Sequence, residues 1–238
     1  MNSQPKTLIV IPAHNERDSI ERVINEVQAT NKGKDIIVVN DASTDETSEI
    51  ARSMGIRTTD LAFNLGIGGA VQTGFKIARL LGYDVVVQVD ADGQHDPSCI
   101  EELMAPIING EADISIGSRR IHNENSRPPL IRSMGIGFFS WLTSKATAEH
   151  VTDCSSGFRA LNKRAFDLFA DDYPVDFPDA EALIAAHRAG LRIREVPARF
   201  RTRNNGMSSL RRWKMMYYPF KEIFSIAVMM TRRQRLAD

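Results

Sequence analysis

With 238 residues, 42% hydrophobic and 25% charged, and cationic and acidic side chains balanced to a net charge of zero, the chain has the make-up of an ordinary globular protein. It is neither a charged disordered segment nor a basic nucleic-acid binder. Only Cys99 and Cys154 are present, which excludes a disulfide framework and fits a reducing compartment. The opening MNSQPKT has no apolar signal core, and no apolar run reaches the length of a bilayer span, so a cytoplasmic location is expected.

The first predicted strand is Thr7 to Pro12, running into Ala13-His14-Asn15-Glu16. A helix follows to about Thr30, with Ile20, Val23, Ile24 and Val27 at helical spacing. Asp35 to Asn40 is a second apolar strand, ending at Asn40-Asp41. A helix to about Met54 follows, with Thr44 or Asp45 as its N-cap. Thr58 to Phe63 reads as a weaker strand. Asn64 to Gly69 reads as a Gly-rich loop, and a helix over about 70–81 completes the unit. Such a loop offers backbone N–H groups, Gly68 among them, to phosphate or ribose. It also suits a plain tight turn, and it follows the third strand where a dinucleotide fingerprint follows the first.

Val85 to Pro97, VVVQVDADGQHDP, is the stretch with the clearest chemistry. A β-branched run with no helical period predicts a buried strand. That strand ends in Asp90 and Asp92, with Gln94 two residues on. Bare carboxylates at the end of a buried strand need a cation or a solvated cleft, because desolvating them unpaired is costly. Oxygen ligands of this kind suit Mg²⁺ or Mn²⁺. An Asx turn capping the next helix accounts for Asp96 and leaves Asp90, Asp92 and Gln94 to explain. A helix from Pro97 to about Ile108 and a strand over 114–117 follow, then Ser118-Arg119-Arg120.

Strands alternating with helices predict an α/β fold: a doubly wound, mostly parallel sheet with helices on both faces. Asn15, Glu16, Asp41, Asn64, Asp90, Asp92 and Arg119 each come just after a strand. All should therefore share one sheet edge, where open α/β sheets bind ligands. His14, His95 and His187 lack zinc-like spacing.

The second half is less regular. Residues 121–129 read as a loop and 130–148 as a helix. Asp153 to Arg159, DCSSGFR, is turn chemistry leading into a short strand over 158–161. Helices are expected over 163–169 and 179–189, and an extended strand over 192–203. Trp213 to Thr231 is rich in aromatics and Met and is flanked by arginine pairs, which suits an amphipathic segment at a membrane interface; an oligomer contact or a cover over the core is the other reading. The expected organisation is one domain over 1–209 with an appendage over 210–238.

Taken together, IPAHNE from Ile11, VNDASTD from Val39, DADGQHDP from Asp90, Gly117-Ser118-Arg119, Ser156-Gly157-Phe158-Arg159 and RNNGMSS from Arg203 resemble the family 2 inverting glycosyltransferases, within them the polyprenyl-phosphate mannosyl- and glucosyltransferases. The resemblance implies an A-type nucleotide-sugar fold. It also implies that Pro12, Ala13, Asn15, Glu16 and Asp41 hold the base and ribose of the donor, and that Asp90, Asp92 and Gln94 hold the metal, with Gly68 and Ala91 on the donor side. Arg119 and Arg132 resemble acceptor-phosphate arginines, and Arg201 and Arg203 resemble those near the donor diphosphate. Two positions depart from the pattern: Ile67 stands where the family often has Lys, and Ser208-Ser209 where it has Ser-Lys.

The implied activity is hexose transfer from a GDP-mannose or UDP-glucose type donor to a polyprenyl phosphate, with Mg²⁺ or Mn²⁺, at the inner membrane face, with a small integral membrane protein as a further candidate partner. A saccharide hydroxyl as acceptor would need a general base, for which Asp179 or Glu181 is the candidate. A nucleotide-sugar-binding scaffold without turnover is the reading from another class.

Overall fold

A computed structural model describes residues 4–119, 121, 144, 151–174 and 180–201. Its seven-stranded sheet has the order β3-β2-β1-β4-β6-β5-β7. The strands are β1 (Thr7–Ala13), β2 (Asp35–Asn40), β3 (Arg57–Asp60), β4 (Val85–Gln88), β5 (Ile114–Ser118), β6 (Arg159–Asn162) and β7 (Ile193–Pro197). All pairings are parallel except those of β6, which runs antiparallel between β4 and β5. The helices are α1 (Ile20–Thr30), α2 (Thr47–Ser53), α3 (Gly66–Leu80), α4 (Ile100–Ile108), α5 (Lys163–Asp171) and α6 (Ala180–Arg188), with a 3₁₀ turn at Pro97–Cys99.

Successive side chains of a strand point to opposite faces, so each apolar strand feeds two cores. Leu8, Val10, Ile37, Val39 and Val86 pack under α3, α5 and α6 with Phe75, Phe166 and Leu183. Ile9, Ile11, Val38, Val85 and Val87 pack under α1 and α4 with Ile24, Val27, Ile100 and Leu103. The predicted doubly wound layering is what forms. Gly74 lets α3 lie close on β1, since a Cβ there would fall 2.4 Å from Val10 Cγ1.

Several boundaries differ from the sequence reading. Helix α2 begins at Thr47, with Glu46 and not Thr44 or Asp45 at the cap position. Helix α3 begins at Gly66, inside the stretch read as a loop. The reason is long-range: the Asp41 carboxylate accepts from the Leu65 N–H (2.7 Å) and the Gly66 N–H (2.9 Å), satisfying amides that open a helix. The third strand ends at Asp60, short of Phe63. The last strand ends at Pro197, after which the chain leaves β5 and runs along the loop that follows β4. Asp96 N–H donates to Arg199 O (3.2 Å), and Arg201 N–H to Gln94 O (2.8 Å). Apart from Ser144, the expected helix over 130–148 lies outside the described residues, as do the appendage over 210–238 and Arg132, Asp179 and Arg203.

Candidate active site

Strands β1 to β5 all run in the same direction, so the polar residues that follow them meet at one edge of the sheet. The turns after β1 and β2 are joined side by side. Asn15 Oδ1 accepts from Thr44 N–H (2.8 Å), Ser43 Oγ accepts from Asn15 N–H (2.9 Å), and Thr47 Oγ1 accepts from Glu16 N–H (2.9 Å). Asn15 and Ala42 adopt left-handed backbone, φ 55° and 52°. Asn tolerates that region, whereas for Ala it costs about 1–2 kcal/mol. Such strain persists where the surroundings over-determine the conformation, typically at ligand sites.

Pro12 and Ala13 are buried at the end of β1, and Gly68 is buried in the first turn of α3. Asp41 is also buried, and both its oxygens already serve Leu65 and Gly66. Each oxygen has a second lone pair, so a ribose hydroxyl would share the carboxylate with the α3 terminus. His14 reaches the Asp41 carbonyl from Nδ1 (2.7 Å). The β1 and β2 turns and the start of α3 are thus one connected unit.

Beside it, β4 delivers Asp90 and Asp92. Asp92 is half-buried, and its Oδ1 accepts from Gln94 N–H (3.0 Å) in an Asx turn. Gly93 makes that turn possible: its φ is +74°, and a Cβ would fall 2.1 Å from Arg22 Nη2. Asp90 is 33% exposed, with Gln88 Nε2 donating to its Oδ1 (3.2 Å) and His95 Nε2 lying 3.4 Å from its Oδ2. Ala91 between them is buried.

His95 is buried, stacked on Phe158 (centroids 4.8 Å apart) and edge-on to Phe200 (5.2 Å). Burial holds the imidazole below its ordinary pKa, against the pull of Asp90 and Asp92. The ring is therefore neutral at physiological pH. Its Nδ1 accepts from Asp90 N–H (3.0 Å), which leaves the proton of the neutral ring on Nε2, the nitrogen 3.4 Å from Asp90 Oδ2.

The residues fit a hard divalent cation. Asp90 and Asp92 are partly exposed oxygen donors with one residue between them just after β4, and the absence of a Cβ at Gly157 leaves space against the Asp90 carboxylate. Among the described residues no three His, Cys, Asp or Glu side chains converge as a metal cluster. Mg²⁺-type sites use one or two carboxylates and complete their shell with water and substrate phosphate. Gln94 is half-buried beside them.

On the far side of Asp90, Arg119 forks onto Asp153. Nε donates to Oδ2 (2.8 Å) and Nη2 to Oδ1 (2.9 Å). The guanidinium also lies over the Phe200 ring, 5.1 Å from its centroid. Asp153 is in turn fixed by Glu195 of β7, which accepts from the N–H groups of Thr152 (2.9 Å) and Asp153 (2.8 Å). Arg119 therefore stands at the site edge as the sequence places it, with a buried carboxylate holding its plane. Arg201 donates to Glu26 (2.7 Å) of α1 and approaches Asp96 at 3.5 Å, so contact with a diphosphate would require it to leave both. Asp153, Glu195, Gln88 and the role of His95 were not singled out from the sequence. DCSSGFR was the one available signal for the first, and only as a turn.

Residues 8–169 match the family described as glycosyl transferase family 2. The chain is 34% identical over 209 residues to the UDP-N-acetylglucosamine–dolichyl-phosphate N-acetylglucosaminyltransferase of Methanococcus voltae, covering 79% of this chain and 83% of that one. It is 31% identical over 218 residues to the undecaprenyl-phosphate mannosyltransferase of Micrococcus luteus, covering 86% and 87%. Its fold superposes with a TM-score of 0.71 on glucosyl-3-phosphoglycerate synthase from Mycobacterium tuberculosis, a structure in complex with Mn²⁺, UDP and phosphoglyceric acid, at 19% identity and over 97% and 80% of the two chains.

Proposed function

The chain belongs to glycosyl transferase family 2 and is a glycosyltransferase, and from that premise we propose that it moves a hexose from a nucleotide-sugar to a polyprenyl phosphate with inversion at the anomeric carbon. The observation that carries this reading is the placement of Asp90 and Asp92 at the end of β4, next to the joined β1 and β2 turns. A nucleoside would lie over Pro12, Ala13, Asn15, Glu16 and Asp41, with its diphosphate directed at the two carboxylates. Mg²⁺ or Mn²⁺ held by Asp90, Asp92 and Gln94 would offset the charge that develops on the departing diphosphate. The acceptor oxygen attacks from the opposite face as the bond to the diphosphate breaks. A phosphate acceptor is already anionic near neutral pH and needs no base. The names of the relatives support such an acceptor.

The test is a panel of labelled UDP- and GDP-sugars with polyprenyl phosphate or saccharide acceptors, run on wild type and Asp179→Asn. With a phosphate acceptor, Asp179→Asn keeps most activity, because Asn also caps a helix and no proton is removed. If Asp179 is a base for a hydroxyl acceptor, turnover falls roughly 10²–10⁴-fold. Transfer to saccharide alone, lost in Asp179→Asn, refutes the lipid-phosphate reading. Donor binding without transfer to any acceptor refutes turnover.

The same proposal places the protein at the inner face of the membrane. No helix among the described residues is long and apolar enough to cross a bilayer. The aromatic and basic composition after Leu210 is what supports attachment through that segment. Deleting Arg211 to Asp238 is expected to release the protein from anionic liposomes. Full-length binding should weaken with salt, since exposed charges are screened over about 8–10 Å near physiological ionic strength. Equal sedimentation of both forms would count against it.

A further inference from the structure

Asp90 is placed with unusual care for a carboxylate that is a third exposed. Two side chains from different positions converge on it. Gln88, two residues earlier on the same face of β4, is buried and donates to Oδ1 at 3.2 Å. His95, five residues later, comes back over the strand end. One ring nitrogen accepts from the backbone N–H of Asp90 at 3.0 Å, and the other lies 3.4 Å from Oδ2. Phe158 and Phe200 hold that ring in its plane from two sides. Phe200 reaches it only because the chain after β7 crosses to the loop after β4, where His95 and Phe200 form a β-bridge.

The third contact is a missing atom. β6 enters antiparallel beside β4, and the turn before it puts Gly157 against Asp90. A Cβ on residue 157 would lie 2.9 Å from Asp90 Oδ2, 3.1 Å from Oδ1 and 3.0 Å from Gln88 Nε2. Carbon–oxygen contacts that short force the carboxylate or the amide to move. Gly157 is not in the left-handed region, so the need for glycine here is space.

We infer that Gln88, His95 and Gly157 are positioning residues for the Asp90 carboxylate: Gln88 holds one oxygen, His95 fixes the backbone of Asp90 and lies beside the other oxygen, and Gly157 keeps their space clear. The inference rests on the reading of Asp90 as a donor-side metal ligand and extends it to residues that would touch neither metal nor donor. Ligating carboxylates are commonly oriented in this way by hydrogen-bonding neighbours, whose loss costs about 10–100-fold in metal affinity.

Two measurements test it. Nitrogen NMR of the metal-free wild type is expected to find the His95 ring protonated at Nε2 and bare at Nδ1; the opposite tautomer overturns the assigned role of His95. Mn²⁺ binding in the presence of UDP or GDP, read by EPR, is then compared among variants whose melting curves show them folded. His95→Leu is expected to weaken Mn²⁺ by about 10–100-fold, and Gly157→Ala, which adds one methyl and removes no donor, by about tenfold. His95→Gln, which restores an amide donor, is expected to recover part of the loss. If Asp90→Asn weakens Mn²⁺ but His95→Leu and Gly157→Ala bind like wild type, the positioning inference fails and the metal reading stands. If Asp90→Asn itself binds Mn²⁺ like wild type, both fall.

Discussion

Asp92→Ala is expected to lower sugar transfer by about 10²–10³-fold, the range for losing one preorganised group that stabilises charge in a transition state. Its effect on stability should be small. Among the described residues, Asp92 has one hydrogen bond, the Asx-turn contact from Gln94 N–H, and a bond of that kind contributes about 0.5–1.5 kcal/mol. Gly93 still supplies the left-handed turn residue. A variant that melts within a few degrees of wild type yet has lost most of its transfer, together with the dependence of donor binding on Mg²⁺ or Mn²⁺, would therefore place the effect in chemistry. Full transfer by the wild type in excess chelator would sink the idea, as would an Asp92→Ala protein that turns over normally.

The parts of this fold that were legible in the sequence are those set by neighbours in the chain. β-Branched runs such as Val85–Val89 name their own strands, and helical spacing of Ile20, Val23, Ile24 and Val27 names α1. That the polar residues following β1 to β5 share one sheet edge was legible for the same reason, because parallel strands bring their ends to one edge. What escaped is what distant residues decide. The start of α3 at Gly66 depends on the carboxylate of Asp41, 25 residues earlier. Residues 158–161 were read as a strand, but nothing local says that it enters antiparallel between β4 and β5, and that insertion is what brings Gly157 onto Asp90. His95 lacks zinc-like spacing, and its ring contacts with Phe158 and Phe200 exist only in the folded chain. The strand expected over 192–203 is interrupted at Pro197 by the crossing that supplies Phe200.

Arg119→Ala is expected to cost about 3 kcal/mol of stability at neutral pH, from the lower part of the range of about 3–5 kcal/mol for stranding one partner of a buried pair. The lower part applies because Arg119 is 26% exposed while Asp153 is 2% exposed. In addition, the backbone N–H of residue 119 (3.2 Å) and the Ser155 hydroxyl (3.1 Å) still reach the carboxylate. The pH dependence separates this from a packing defect. In the wild type, burial pushes the Asp153 carboxyl up, but its hydrogen bonds and ion pair with Arg119 outweigh burial and hold it below the usual value. The pair then stabilises the fold above the unfolded carboxyl pKa of about 3.9 and is lost as pH falls through the depressed folded value. Without Arg119, the raising effect of burial is opposed only by the hydrogen bonds that remain, and the folded value is expected to rise above the unfolded one. The variant therefore takes up a proton on folding, and its deficit is largest at neutral pH and shrinks as pH falls through the raised value. Urea unfolding of both proteins from about pH 8 to about pH 4 should show the two stabilities converging on the acid side. A gap that stays constant would mean that the loss is one of packing. Assayed at a temperature where the variant is folded, its KM for polyprenyl phosphate should rise by about 10–150-fold, the equivalent of one charge-assisted contact of about 1.5–3 kcal/mol. A destabilised variant with an unchanged acceptor KM would assign Arg119 to holding the Asp153 turn and remove it from the acceptor site.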